Sequence, residues 1–221
     1  MRKTIIVSIL FYSFSALAYF LPAGRFDLPF GWCYFALNAT IGIGAVGIAE
    51  ARAPGFALER LRPAPGEKDR LFKPVGSLCS LALLVTAGLD VGRYHWVPPV
   101  GWQVQLAAFA LGMAGLVLVC WSMVENSFFS SAVRLQPERA QVVVKSGPYA
   151  VVRHPGYTGG VLYLAMNALA LGSWWAGLAA VPMLFLTIRR TMIEDAMLQS
   201  GLAGYSDYAK QVPYRLLPGL W

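Results

Sequence analysis

The residues of this chain best equipped for chemistry gather in two short polar clusters at the borders of apolar segments. The first is the run Gly147-Pro148-Tyr149-Ala150-Val151-Val152-Arg153-His154-Pro155-Gly156-Tyr157. Arg153 and His154 can donate hydrogen bonds, Pro155 disfavours the α conformation at His154, and Gly156 permits close backbone approach. The second cluster, Arg189, Arg190, Glu194 and Asp195, ends the last apolar segment. Arg190 and Glu194 stand at i,i+4, so a continued helix presents them on one face. Taken alone, the pair reads as an interfacial ion pair worth little. The tyrosines that follow, Tyr205 and Tyr208, and the tail Pro213-Tyr214-Arg215-Leu216-Leu217-Pro218 are more than a bare anchor needs, and favour a site.

The elements that must position these clusters are membrane helices. Of the 221 residues 57% are hydrophobic and only 13% charged, and the mean hydropathy is +0.55, which excludes an ordinary soluble globule. The fold class expected is an all-α polytopic membrane helix bundle. Six apolar segments fall at about 4–21, 30–49, 75–92, 102–124, 157–172 and 174–192. The last two are short and separated by little more than Ser173, which predicts a tight hairpin that is tilted or does not fully cross. The length fits one integral membrane domain, 1–221, with a four-helix part, 1–124, and a site-bearing part, 125–221.

With an internal N terminus and six crossings, every Lys and Arg except Arg25 and Arg93 falls on one face. The positive-inside bias makes that face, and both termini, cytoplasmic, and brings the two clusters to the same side. The net charge of +7 follows from this bias and suits anionic lipid; without a separate basic soluble domain, a nucleic-acid partner is not expected. Met1-Arg2-Lys3 before an apolar run with Ala16-Leu17-Ala18 resembles a signal peptide. The run continues through Phe20 and Leu21, which favours an uncleaved first helix.

Several signals carry less than their letters suggest. Gly42-Ile43-Gly44-Ala45-Val46-Gly47 spells GxGxxG, but inside a membrane helix it reads as helix contact and not a dinucleotide turn. Gly156-Tyr157-Thr158-Gly159-Gly160 contains GxxxG, for which helix contact and ligand approach are both reasonable. Cys33, Cys79 and Cys120 are isolated, and with His95 and His154 on opposite faces no metal site is expected. Asp90, Arg93 and His95 read as solvated helix ends. The 51–74 loop, carrying Glu59, Arg60, Arg62, Glu67, Lys68, Asp69 and Arg70, reads as an interfacial connector that could also cap a site. In the long connector after Glu125 and Asn126, Val142-Val143-Val144 suggests a short extended piece.

The order GPY-x-x-VRHP-x-Y, an apolar hairpin, R-x-x-x-E-D, GY-x-x-Y and V-P-Y-R-L-L-P-G resembles the isoprenylcysteine carboxyl methyltransferase family and its bacterial relatives, from about Glu125 to Trp221. The Arg-His-Pro-x-Tyr element is also similar to the wider superfamily of phospholipid N-methyltransferases and membrane sterol reductases. The resemblance implies an enzyme of the bacterial inner membrane that binds S-adenosylmethionine without a Rossmann domain. By matching positions, it places Gln136, Gln141, Val142, Val143, Val144, Tyr149, His154, Pro155, Tyr157 and Glu194 around the cofactor, and Arg190 on the substrate side. Asp195 stands where eukaryotic members tend to carry a second Glu, and its role stays open. The expected acceptor is a carboxylate on a lipophilic small molecule or lipidated substrate, reached from membrane lipid. The alternatives are phospholipid N-methylation and a nicotinamide-dependent reductase.

Methyl transfer from a sulfonium needs no protein nucleophile or metal, only alignment and exclusion of water. A carboxylate is already ionised near neutral pH and needs no base. Arg190 could hold one of its oxygens while the other attacks, and Glu194 could offset the positive charge of the cofactor.

Overall fold

The computed structural model describes residues 2–57 and 66–221. Among them there is no strand; the chain forms α1 (Arg2–Ala23), α2 (Pro29–Arg52), α3 (Phe72–Leu89), α4 (Trp102–Glu125), α5 (Pro155–Ala170), α6 (Val181–Gly201) and the short α7 (Tyr205–Gln211). A single π-turn, Asp90–Tyr94, extends α3, and a 3-10 segment, Trp175–Ala180, leads into α6. Among the described residues, five stretches are long and apolar enough to cross a membrane: Ile5–Ala23, Pro29–Arg52, Phe72–Tyr94, Trp102–Glu125 and Trp175–Gly201. Large apolar side chains such as Leu10, Phe11, Phe14 and Phe185 point outward around them, as expected of a protein whose solvent is lipid.

The expected six spans therefore become five long helices and one short one. At 16 residues, α5 is about 24 Å long, less than the roughly 30 Å of a hydrocarbon core. It is nevertheless a full member of the bundle. A Cβ on Gly159 would lie 2.5 Å from the Gly115 carbonyl oxygen, and one on Gly115 would lie 2.7 Å from that of Gly159. Only two glycines let the α4 and α5 backbones meet so closely. Elsewhere Gly88 and Gly92 admit the α1 backbone in the same way. Of the GxGxxG positions, Gly42 meets the Tyr12 hydroxyl while Gly44 and Gly47 face open space, so helix contact explains only the first.

Contacts at the two ends show that the helices alternate in direction, α5 included. At one end the Arg93 guanidinium donates to the Leu21 carbonyl, Gln105 to the Ala170 carbonyl, and Ser173 Oγ to Asp90. At the other, Arg52 approaches Glu125 and the start of α5 meets the last turns of α6. Between them lies a core of Tyr19, Phe20, Tyr34, Phe35, Leu83, Ala87 and Leu171. The expectation of a solvated Asp90 is corrected: it is 3% exposed, because its carboxylate accepts from Ser173 Oγ at 2.6 Å and from the Trp96 amide at 3.0 Å. Val142-Val143-Val144 is irregular and pairs with no strand among the described residues.

Candidate functional site

Local backbone chemistry brings the two clusters together. Gly147 has φ +57°, a left-handed conformation that starts the 3-10 turn Gly147–Ala150, and a Cβ there would press on Glu125 and Trp121. His154 sits at φ −126°, ψ 60°, outside the α region that a following proline disfavours, and Pro155 opens α5 where its missing N–H costs nothing. The C-terminal tail lies against this junction: the amides of Arg153 and His154 donate to the carbonyls of Tyr214 and Arg215, each at 3.0 Å, and Thr158 Oγ1 donates to the Leu216 carbonyl.

Glu194 and Asp195 are adjacent on α6 and so point about 100° apart. Asp195 turns to the junction. Its Oδ1 accepts from Arg153 Nε at 2.8 Å and from the Tyr205 hydroxyl at 3.0 Å, with His154 Nε2 at 3.3 Å. Its Oδ2 accepts from Arg153 Nη2, Arg215 Nε and Gln199 Nε2. Arg153 Nη1 is taken by the carbonyls of Val212 and Pro213. Both groups are buried and fully engaged, so together they clasp α6, the junction and the tail.

Glu194 turns the other way. It accepts a hydrogen bond from the Tyr157 hydroxyl, which in turn accepts from Arg190 Nε at 2.8 Å. Arg190 Nη2 donates to the Ser131 carbonyl, and the Phe72 ring lies 4.4 Å from the guanidinium carbon. The expected one-face placement of Arg190 and Glu194 is realised through a shared tyrosine and not a direct ion pair.

Beside Tyr157 and Glu194 opens a cavity enclosing about 790 Å³, its mouth included. Gln136, Gln141, Val142, Val143, Val144, Tyr149, His154, Tyr157 and Glu194 all line it; Pro155 and Arg190 do not. Pro155 is buried behind the wall, and Arg190 reaches the cavity only through Tyr157. The side chain of Gln136 is already committed, Nε2 to the Phe128 carbonyl and Oε1 to Arg139, while Gln141 Oε1 accepts from the Gln136 amide. These bonds fold the connector into a wall. The amides and carbonyls of Val142, Val143 and Val144 make no hydrogen bond with the described residues. Such a segment is left to pair with water or a ligand.

Other lining residues were not singled out as site residues from sequence: Asn126, Phe128, Phe129, Ser130, Arg134 and Leu198. Tyr205 and Tyr208 also line it, and their i,i+3 spacing was the available signal. Burial pushes the phenols of Tyr149 and Tyr205 above their ordinary value, and that of Tyr208, also buried, up to about 12. The Tyr149 hydroxyl donates to the Ser122 carbonyl and accepts from Asn126, and that of Tyr208 donates to the Tyr149 carbonyl. These phenols are neutral structural donors near neutral pH.

The loop after α2 also reaches the site. Val133 N donates to Glu67 Oε1 at 2.8 Å, Lys68 N donates to the Val133 carbonyl, and Asp69 pairs with Arg189 at 2.7 Å and faces Arg190. The described C-terminal part of this loop thus connects to the 125–154 segment and to α6, and its residues are not among those that line the cavity; residues 58–65, with Glu59, Arg60 and Arg62, lie outside the described residues.

A family model described as phospholipid methyltransferase matches residues 104–203, less than half of the chain, from the first turn of α4 through the connector, α5 and α6. The match implies a membrane methyltransferase, and the five long apolar helices an integral membrane protein. No curated protein matches the chain.

Proposed function

We propose that the chain is an S-adenosylmethionine-dependent methyltransferase resembling the isoprenylcysteine carboxyl methyltransferases, which esterifies a carboxylate of a lipophilic acceptor at the cytoplasmic side of a bacterial inner membrane. The observation that carries this reading is the Tyr157 hydroxyl, bonded at once to Glu194 and Arg190 in the cavity wall. One polar bridge thereby joins a carboxylate suited to a cationic ligand with a guanidinium suited to an anionic one.

The donor set fits the cofactor. Glu194 presents negative charge to the cavity for a ligand that carries an ammonium and a sulfonium, and the unpaired backbone of Val142 to Val144 offers donors and acceptors to a heteroaromatic edge. His154, Tyr149 and Gln141 complete the polar lining, while Gln136 and Pro155 hold the wall in shape. When bound, S-adenosylmethionine supplies an activated methyl group. Held by Glu194, Tyr149, His154 and the backbone of Val142, Val143 and Val144, it would supply that methyl to the acceptor oxygen, the S–CH3 bond giving way to the new O–CH3 bond. Arg190 fixes the acceptor carboxylate, Tyr157 fixes Arg190, and the apolar surround keeps water away.

The test is transfer of labelled methyl from S-adenosylmethionine to a membrane lipid extract by the purified protein, with the product then treated with mild base. Release of the label as methanol is expected. A base-stable label would instead favour the phospholipid amine acceptor that the family description suggests. Binding of reduced nicotinamide without S-adenosylmethionine would overturn the reading in favour of a reductase.

A further inference from the structure

A second cavity, of about 550 Å³ with its mouth, lies among α1, α2, α3 and α5 and shares no lining residue with the one beside Glu194. Phe11, Phe35, Leu83, Leu84 and Leu164 make much of its wall apolar, and no charged side chain lines it. Into this wall the fold sets a short polar chain. The Tyr163 hydroxyl donates to Asn38 Oδ1 at 2.6 Å, so the proton between the Tyr163 and Tyr34 hydroxyls, 2.8 Å apart, comes from Tyr34, while Asn38 Nδ2 donates to the Tyr34 carbonyl at 2.7 Å. Both phenolic protons are thus spent inside the chain. Asn167, one turn further along α5 and only 7% exposed, also lines the cavity, and its Oδ1 has no hydrogen-bond partner. Leaving a buried amide oxygen bare costs about 1–3 kcal/mol. What Asn167 lacks is a donor.

We infer that this cavity binds an uncharged lipophilic alcohol drawn from the bilayer, its hydroxyl donating to Asn167 Oδ1 and its hydrocarbon body lying against the apolar wall. The head must be neutral, because an ionised group brought into a wall without a counter-charge is costly. That sets aside the phosphate of a phospholipid and any carboxylate. The volume lies within the about 300–1,000 Å³ of small-molecule sites. Entry is from lipid: of the lining residues Phe11 and Ser80 are exposed, and both stand near the middle of their helices, α1 and α3, where the surroundings are hydrocarbon. Polar side chains between membrane helices often act only as interhelical hydrogen bonds. That role accounts for Tyr34, Asn38 and Tyr163, which join α2 to α5, but not for Asn167 or the space beside it. Asn167 lies about 15 Å along α5 from Tyr157, toward the opposite end of the bundle, and α1, α2 and α3 fall outside the matched residues 104–203. The inference therefore stands apart from the methyltransferase reading.

Native mass spectrometry of the full, delipidated protein in detergent, titrated with matched pairs, tests this. One pair has a linear body, hexadecan-1-ol against hexadecyl methyl ether; the other has a ring body, cholesterol against cholesteryl methyl ether. Within each pair the donor is removed and the apolar body kept. The wild type should bind the alcohol of at least one pair about tenfold more tightly than its ether, the pair that discriminates naming the shape of the body, and Asn167→Leu should bring the preference to within about twofold. Ser80→Trp, which places an indole at the mouth from a lipid-facing position, should weaken binding of that alcohol by about fivefold or more. Equal binding of alcohol and ether in both pairs overturns the inference, since a cavity that only houses a hydrocarbon tail reads no donor. Failure of both alcohols to bind overturns it too, and leaves Asn167 Oδ1 to a trapped water. So does a preference that survives in Asn167→Leu, or binding undiminished in Ser80→Trp. If Asn167→Leu does not fold, the wild-type pairs and Ser80→Trp decide.

Discussion

Each end of the helix bundle buries an acid, and the two ends use it differently. At the end holding Ser173, Asp90 accepts from one hydroxyl and one amide and ties the π-turn to the α5–α6 connection. At the other end two consecutive acids divide the work. Asp195 is saturated by Arg153, Arg215, Gln199 and Tyr205, whereas Glu194 takes one hydrogen bond from Tyr157 and presents the rest of its carboxylate to a cavity. The difference teaches that burial and charge do not mark a site by themselves. What marks it is hydrogen-bonding capacity left open beside space, next to a clasp that keeps it open.

That contrast can be broken most severely at Asp195. Asp195→Asn leaves Arg153 and Arg215 without their shared counter-charge, and a loss of about 3–5 kcal/mol is expected for breaking a buried pair. Thermal unfolding in detergent should show a large fall in midpoint, with ligand binding lost as a consequence. Asp90→Ala strips partners from Ser173 Oγ and the Trp96 amide and should cost about 1–3 kcal/mol. Cofactor affinity, measured by calorimetry in the remaining folded protein, should be unchanged; a fall would mean that the two ends are not independent. Tyr157→Phe removes the bridge between Glu194 and Arg190, and is expected to raise the acceptor KM about three- to tenfold with a stability change of about 1 kcal/mol or less.

The smallest effect is with pH. Tyr208 has its folded value raised to about 12 against an unfolded value of about 10, so the stability tied to its neutral form is full below pH ~10 and is lost as pH rises through ~12. Absorbance of tyrosinate should therefore lag behind that of unfolded protein in this range. Coincident curves would show that the Tyr208 phenol is hydrated and the clasp around it loose.

The fold class was legible in hydropathy, and the meeting of the clusters was legible in chain direction: an even number of alternating helices returns the Pro155 junction and the end of α6 to one face. The i,i+4 spacing also put Arg190 and Glu194 on one side of α6. What spacing did not reveal was the identity of the shared partner, because Tyr157 lies on another helix. Asp195 was illegible for a related reason: a 100° step separates a clasp from a cavity wall, and only packing says which direction is which. Asp90 looked solvated because a polar trio at a helix end has the composition of an exposed terminus; Ser173, more than eighty residues on, supplies its partner. The mixed charges around Asp69 likewise averaged to a connector, while the fold carries this one acid onto Arg190.

Calorimetric titration of S-adenosylmethionine into the nanodisc-embedded protein and its Glu194→Gln variant tests the central claim most directly. Gln keeps the shape of the side chain and its bond with Tyr157 while removing the charge turned to the cavity. The account predicts saturable binding to the wild type and a loss of about 10- to 100-fold in the variant, with the unfolding midpoint nearly unchanged. No binding to the wild type, or equal affinity in both proteins, would contradict it.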